Sequence, residues 1–224
     1  MYFDFKRLRN SLRGYFPFLV TLGKAFGLVY SERSFLNRSG YIASAISKKP
    51  CRKDGSPVPW MNYNVVSFFQ DRLRKDLSLF EYGSGYSTLF FSNYVGDIIS
   101  VECDREWYDY INANRSDNTN LLLYEDDPYA SDTYSKIICG QGRKFDVVIV
   151  DAEDRNRCMI SACDAISDWG VIVLDDSHRP CYRRSIDWLI GSGFKRLDFE
   201  GLKPGRISLY RTTIFYKSDN CLGI

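Results

Sequence analysis

From Leu77 onward, short apolar runs alternate with stretches of helical spacing. The runs at 77–81, 97–102, 120–124, 145–150 and 170–175 are bounded by turn residues and read as buried strands. Between and after them the spacing predicts helices at about 87–94, 105–115, 130–139, 155–166 and 180–191. Strand–helix alternation of this kind implies a parallel sheet. Residues 194–199 and 208–216 instead alternate with period two and are joined by the Gly/Pro-containing segment 201–205, so they read as an antiparallel hairpin. Upstream lie an expected helix from Val65 to Leu77 and a breaker-rich loop over 47–59. Before these, Phe5, Leu8, Leu12, Phe16 and Leu19 share one helical face, interrupted at Pro17.

The most informative stretch is Leu79-Phe-Glu-Tyr-Gly-Ser-Gly-Tyr-Ser-Thr88, where the first strand meets its helix. Glu81 stands at the strand's mouth, and two glycines with one residue between them let the backbone approach a ligand closely. Glu102 ends the next strand, where a doubly wound sheet grips ribose hydroxyls. The dinucleotide fingerprint needs a third glycine three positions after the second, and Thr88 occupies that position. A nicotinamide-dependent oxidoreductase is thereby disfavoured.

The pattern E-x-G-x-G-x-S at 81–87, with Val101-Glu102 closing the second strand, resembles class I S-adenosylmethionine-dependent methyltransferases. The resemblance implies an α/β, three-layer, doubly wound, mostly parallel seven-stranded sheet of Rossmann-like form. A C-terminal antiparallel hairpin closes it, a helical extension with its loop spans 1–58, and the cofactor-binding domain spans 59–224. It implies S-adenosylmethionine as cofactor, held by Glu81, Tyr82, Gly83, Ser84 and Gly85, then by Ser87 and Thr88. Glu102 would take the ribose and Asp126 the adenine, with Asp151 reaching the cofactor from the fourth strand.

The fourth and fifth strands deliver Asp151 and the pair Asp175-Asp176 to the carboxyl edge of the sheet, where such sheets bind ligands. Three converging carboxylates repel unless a cation or proton is shared. One answer is Mg²⁺ or another divalent cation on Asp151, Asp175 and Asp176. These strand ends resemble cation-dependent O-methyltransferases, although Asp176 stands where that family carries Asn. The other answer is metal-free general-base catalysis by His178, the one histidine of the chain, or by Asp151 or Asp176. Arg155 and Arg179 flank this edge as anchors for a substrate phosphate or carboxylate, or as ion-pair partners of the acids. The aromatics of Pro59-Trp-Met-Asn-Tyr63 read either as a core plug or as a wall for adenosine or the acceptor.

The stretch from Pro59 to Tyr216 also resembles a set of bacterial class I methyltransferase-like proteins met among cell-surface polysaccharide genes. The matching segments include Asp154-Arg-Asn-Arg-Cys158 and Leu174-Asp-Asp-Ser-His-Arg-Pro-Cys-Tyr182. That resemblance bears on fold and cofactor; the expected acceptor is the hydroxyl oxygen of a small molecule, such as a sugar or glycan. No Asn/Asp-Pro-Pro-Tyr/Phe tetrapeptide follows the fourth strand, which argues against amino groups of nucleobases as acceptors. A non-catalytic, membrane-recruited cofactor-binding protein is the remaining alternative.

Composition refines this picture at the N-terminus. The net charge of +2 conceals 11 Lys/Arg against 3 Asp/Glu in residues 1–60, with 19 against 25 in the rest. The basic front end reads either as a helical cap on the domain or as an amphipathic segment lying on an anionic membrane surface. No nucleic-acid recognition motif accompanies the charge. The apolar run 15–22 is far shorter than a membrane span. Seven cysteines without a C-x-x-C pair suit a reducing compartment, so a cytoplasmic setting is expected.

Overall fold

The computed structural model describes Gly14 and residues 16–224. Seven strands form one sheet: β1 (Ser78–Tyr82), β2 (Asp97–Glu102), β3 (Thr119–Leu123), β4 (Phe145–Val150), β5 (Ile166–Leu174), β6 (Lys195–Leu202) and β7 (Leu209–Tyr216), in the order β3-β2-β1-β4-β5-β7-β6. Strands β1 to β5 pair in parallel, and β7 runs antiparallel to both β5 and β6. The chain crosses from β1 outward to β2 and β3, then returns to the other side of β1 for β4. That reversal opens a crevice beyond the carboxyl ends of β1 and β4.

Alternation along the central strands fills a core on each face. Phe80, Tyr82, Val148, Val150, Ile172 and Leu174 point into one cluster, together with Met159, Ala162, Ile186 and Leu189. The latter come from α8 (Arg155–Ala165) and α9 (Arg183–Gly191). Leu79, Val147, Ile149, Val171 and Val173 point to the opposite face. There they meet Val65, Val66 and Phe69 of α4 (Tyr63–Arg72) and Phe90 and Phe91 of α5 (Tyr86–Phe91). Glu81, between Phe80 and Tyr82, is therefore turned to the α4/α5 face, in register with Ser100 of β2.

Elsewhere the chain departs from its pattern for identifiable reasons. Helix α4 starts two residues early, because the Asn62 side chain accepts from the Val65 N–H, and it stops at Arg72 rather than continuing to Leu77. The helix expected over 130–139 is only one turn, α7 (Thr133–Lys136), followed by a 3₁₀ turn at Cys139–Gln141. Strand β5 begins at Ile166, four residues before the expected start. An irregularity in its pairing with β4 accommodates Gly170, where an added Cβ would lie 2.4 Å from the Ile166 side chain.

Gly14 is helical and Phe16 is not, and a helix starts afresh at Pro17. Helix α1 runs Pro17–Tyr30, and proline suits a first turn whose N–H groups have no partner. Phe5, Leu8 and Leu12 of the expected N-terminal face, and the basic residues Lys6, Arg7, Arg9 and Arg13, lie outside the described residues. Two short helices follow, α2 (Phe35–Arg38) and α3 (Tyr41–Ser47), before the chain enters α4. The remaining helix, α6 (Arg105–Asn114), follows β2 and is capped by the Asp104 carboxylate, which accepts from the Trp107 N–H.

Candidate active site

The crevice holds two cavities. One, of about 270 Å³, is lined by Gly83, Ser84, Gly85, Tyr86, Ser87 and Trp107, with Pro50, Trp60 and Asp151 closing it. The other, of about 320 Å³, is lined by Asp151, Asp175, Asp176, Arg179, Lys203, Arg206, Tyr210 and again Trp60. Trp60 and Asp151 are common to both, so the two spaces meet at those side chains.

The glycine turn is held by hydrogen bonds to two buried carboxylates. Gly83 has φ +86°, and a Cβ there would lie 2.4 Å from the Asp151 carbonyl oxygen, so only glycine allows β1 and β4 to end side by side. Glu102 accepts from Ser84 N (3.0 Å) and Ser84 Oγ (2.9 Å) on one oxygen, and from Cys103 N (2.8 Å) and Asp104 N (2.9 Å) on the other. The carboxylate expected to grip ribose thus receives four donors from the chain itself. Trp107 Nε1 donates to the Ser84 carbonyl at 2.8 Å, so this indole fixes the turn as well as lining the cavity.

Thr88, at the place of the missing third glycine, has a specific task. Its hydroxyl accepts from Gly85 N (2.9 Å) and donates to Glu81 Oε2 (2.5 Å), while Ser100 Oγ donates to the same oxygen at 3.0 Å. The other oxygen, Glu81 Oε1, is buried without a partner. Burial raises this carboxyl from 4.5 to about 7, against the hydrogen bonds that favour its ionised form. Tyr82 places its ring in the core, its hydroxyl donating to the Ser135 carbonyl. Asp126 is exposed on the loop after β3 and lines neither cavity.

The second cavity is built from ion pairs. Asp151, at the end of β4, pairs with Arg155 at 2.7 Å. Asp175 is 1% exposed and accepts from Thr212 Oγ1 at 2.7 Å. The ammonium of Lys203, itself 6% exposed, lies 2.5 Å from Asp175 Oδ2 and 2.6 Å from Asp176 Oδ1. Arg179 pairs with the second Asp176 oxygen at 2.5 Å. Burial pushes Asp175 upward, and nearby Asp151 adds to that, while Lys203 opposes both. Burial also works to raise Asp176, yet Lys203 and Arg179 outweigh it and bring it below the ordinary carboxylate range. Lys203 loses stability as a cation by burial but gains more from its three acidic neighbours, so its pKa rises and it stays charged.

Lys203 bears directly on the expected metal. Its ammonium bridges Asp175 and Asp176, the position a divalent ion would need, and no metal-binding group of three His, Cys, Asp or Glu residues occurs among the described residues. The residues present do not fit Mg²⁺, and the shared cation that three converging acids require is a lysine. Sequence reading passed over Lys203 because Gly201-Leu-Lys-Pro-Gly205 has the composition of a simple turn. The hairpin register supplies the signal: β6 runs parallel to β5, so the residue after Leu202 lands on the same sheet edge as Asp175. His178 is not brought into either cavity. It is exposed, edge-on to Tyr210 at 5.6 Å, because Ser177 N already donates to Arg211 O and carries the chain onto β7.

Residues 41–60 hold the hairpin that carries Lys203. Trp60 Nε1 donates to Pro204 O (3.0 Å) and Tyr41 Oη to Arg206 O (3.0 Å). Gly205, at φ +66°, packs so closely on Ala45 that a Cβ would meet its backbone nitrogen at 2.9 Å.

The sheet order and closing hairpin are those of the class I methyltransferase fold, and solved structures share it. A precorrin-8w decarboxylase from Methanobacterium thermoautotrophicum superposes with a TM-score of 0.53 at 14% identity, over 77% of this chain and 97% of that one. A methyltransferase from Pyrococcus furiosus gives 0.51 at 16% identity, covering 80% and 94%. A methyltransferase-like protein from Silicibacter pomeroyi gives 0.51 at 20%, covering 72% and 89%. No protein-family model matches the sequence, and no curated protein matches it.

Proposed function

We propose that this chain is an S-adenosylmethionine-dependent methyltransferase that transfers the methyl group to a hydroxyl oxygen of a small acceptor, such as a sugar or glycan. The observation that carries the reading is the meeting of two cavities at Asp151 and Trp60, one over the glycine turn and one over the acids of β4 and β5. When bound, the cofactor supplies a methyl group on a positively charged sulfur. Glu81, with its unpartnered buried oxygen at the glycine turn, suits the cationic part of such a ligand. The aromatic faces of Tyr86 and Trp107, 5.5 Å apart, suit its adenosine.

On the acceptor side, Asp151 is the carboxylate that touches both cavities, and it takes the hydroxyl proton as the oxygen–carbon bond forms. Arg155 holds the Asp151 carboxylate in position through their ion pair. Lys203 and Arg179 hold Asp175 and Asp176 in place and make the site cationic enough to stabilise an acceptor oxygen that is losing its proton. Arg206 stacks on Trp60 at 4.9 Å and forms no ion pair among the described residues, which favours an acceptor that also carries a carboxylate or phosphate.

Calorimetric titration with S-adenosylhomocysteine tests the donor half, and binding that Gly83→Val abolishes is expected. Transfer of labelled methyl to a panel of sugars and sugar acids tests the acceptor half. Asp151→Asn is expected to lower turnover by about 10²–10⁴-fold, the usual contribution of a general base, with homocysteine-product binding retained. Absence of product binding by the wild-type protein sinks the proposal.

A further inference from the structure

Helix α1 is apolar around its whole circumference, and of its residues only Val20 and Val29 are even half-buried. Its sequence, Pro-Phe-Leu-Val-Thr-Leu-Gly-Lys-Ala-Phe-Gly-Leu-Val-Tyr, has one charge, Lys24, and no residue of the helix is buried. Phe18 is 74% exposed, Phe26 64% and Leu28 75%. A helix that is hydrophobic on every side ordinarily has something on every side. At 14 residues it is about 21 Å long, too short to cross a bilayer, and no helix among the described residues is long and apolar enough to do so.

We infer that α1 and the basic segment after it form a docking surface for an anionic lipid membrane, with the helix lying in the interface. Charge selects this occupant. Residues 16–60 carry seven Lys/Arg against two Asp/Glu, and Arg33, Arg38, Lys48, Lys49 and Lys53 are all exposed. Apolar side chains beside a cluster of cations are the composition that binds acidic headgroups and buries a helix at their level. A second copy is the poorer fit, because a two-fold contact through this face brings like charges together.

Continuity with the site supports the same occupant. Ile46, at the end of α3, is 78% exposed, and Ile207, just beyond Arg206, is 92% exposed. The two segments that carry them meet where Gly205 packs on Ala45. The apolar surface thus reaches the hairpin whose Arg206 lines the acceptor cavity, which places the mouth of that cavity near the membrane. The docking surface itself depends on no assumption about the reaction.

Co-sedimentation of the full chain with phosphatidylcholine vesicles, with and without one lipid in three replaced by phosphatidylglycerol, tests the inference. Binding to the anionic vesicles is expected to be at least about tenfold tighter than to the neutral ones and to weaken with salt. The triple change Phe18→Ser, Leu22→Ser, Phe26→Ser is expected to cut it by about tenfold or more through lost apolar burial. Lys48→Glu with Lys49→Glu should weaken anionic binding without touching the helix. A thermal melt superimposable on wild type shows that each variant still folds. Equal binding to both vesicles, no binding to either, or a dimer in sedimentation equilibrium that the serine variant abolishes without any vesicle binding overturns it.

Discussion

The two halves of the crevice solve the problem of buried carboxylates in opposite ways. Around the glycine turn, Glu81 and Glu102 receive only uncharged donors, three hydroxyls and three backbone N–H groups. Around Asp151, Asp175 and Asp176 the partners are three cations, Arg155, Lys203 and Arg179, with one hydroxyl, that of Thr212. Uncharged donors fix a loop in one geometry and leave burial free to raise the Glu81 carboxyl. Cations lower Asp176 and oppose the upward push of burial on Asp175, but each pair survives only while both partners are present. One half is therefore organised by geometry and the other by charge balance.

The sharpest way to break that contrast is Lys203→Met. It leaves Asp175 and Asp176 facing each other without their shared cation, and a loss of about 3–5 kcal/mol in denaturant unfolding is expected for removing one partner of a buried ion pair. Adding Asp175→Asn should return part of the loss, since it removes one of the stranded charges. Gly83→Ala comes next. Positive φ and the 2.4 Å approach to Asp151 O predict a loss of about 2–3 kcal/mol by the same assay, together with loss of S-adenosylhomocysteine binding.

Glu81→Gln should act in the other direction, and only at higher pH. The folded carboxyl titrates near 7 where the unfolded one titrates near 4.5, so the folded state holds a proton that the unfolded chain releases. Stability from this group is complete below pH 4.5 and is lost as pH rises through 7. The amide cannot ionise, so the variant is expected to gain on the order of 2–3 kcal/mol over wild type in alkaline buffer and nothing in acid, read from melting curves across pH. The smallest effect belongs to Trp107→Phe, which removes one hydrogen bond to the glycine turn and should cost about 1 kcal/mol.

The same contrast explains what could be read in advance. The strands were legible because Phe145–Val150 and its neighbours are buried on both faces and so nearly continuous in apolar residues. The glycine turn was legible because its parts lie within a few residues of one another and Glu102 ends the adjacent strand. Thr88 was legible as the missing glycine and, through the resemblance, as a cofactor contact, but not as the hydroxyl that links Gly85 N to Glu81, seven residues before Thr88. Lys203 lies 27 and 28 residues from its partners, in a segment whose composition says turn, and the pairing exists only through the antiparallel hairpin. The helix expected at 130–139 failed for a local reason. Ser131 and Asp132 turn the chain, with Ser131 Oγ accepting from Thr133 N, so the helix starts only at Thr133, and after Lys136 it gives way to the 3₁₀ turn.

Trp60 is a wall common to both cavities, and its indole is tied by one hydrogen bond to the hairpin that carries Lys203. A ligand that shifts this ring in filling one cavity alters the shape of the other. Thermodynamic linkage then makes the effect mutual: whatever factor the first ligand imposes on the second, the second imposes on the first. The indole is also a chromophore, so its emission would follow the filling of either space, and the two occupancies could be titrated against each other without any turnover.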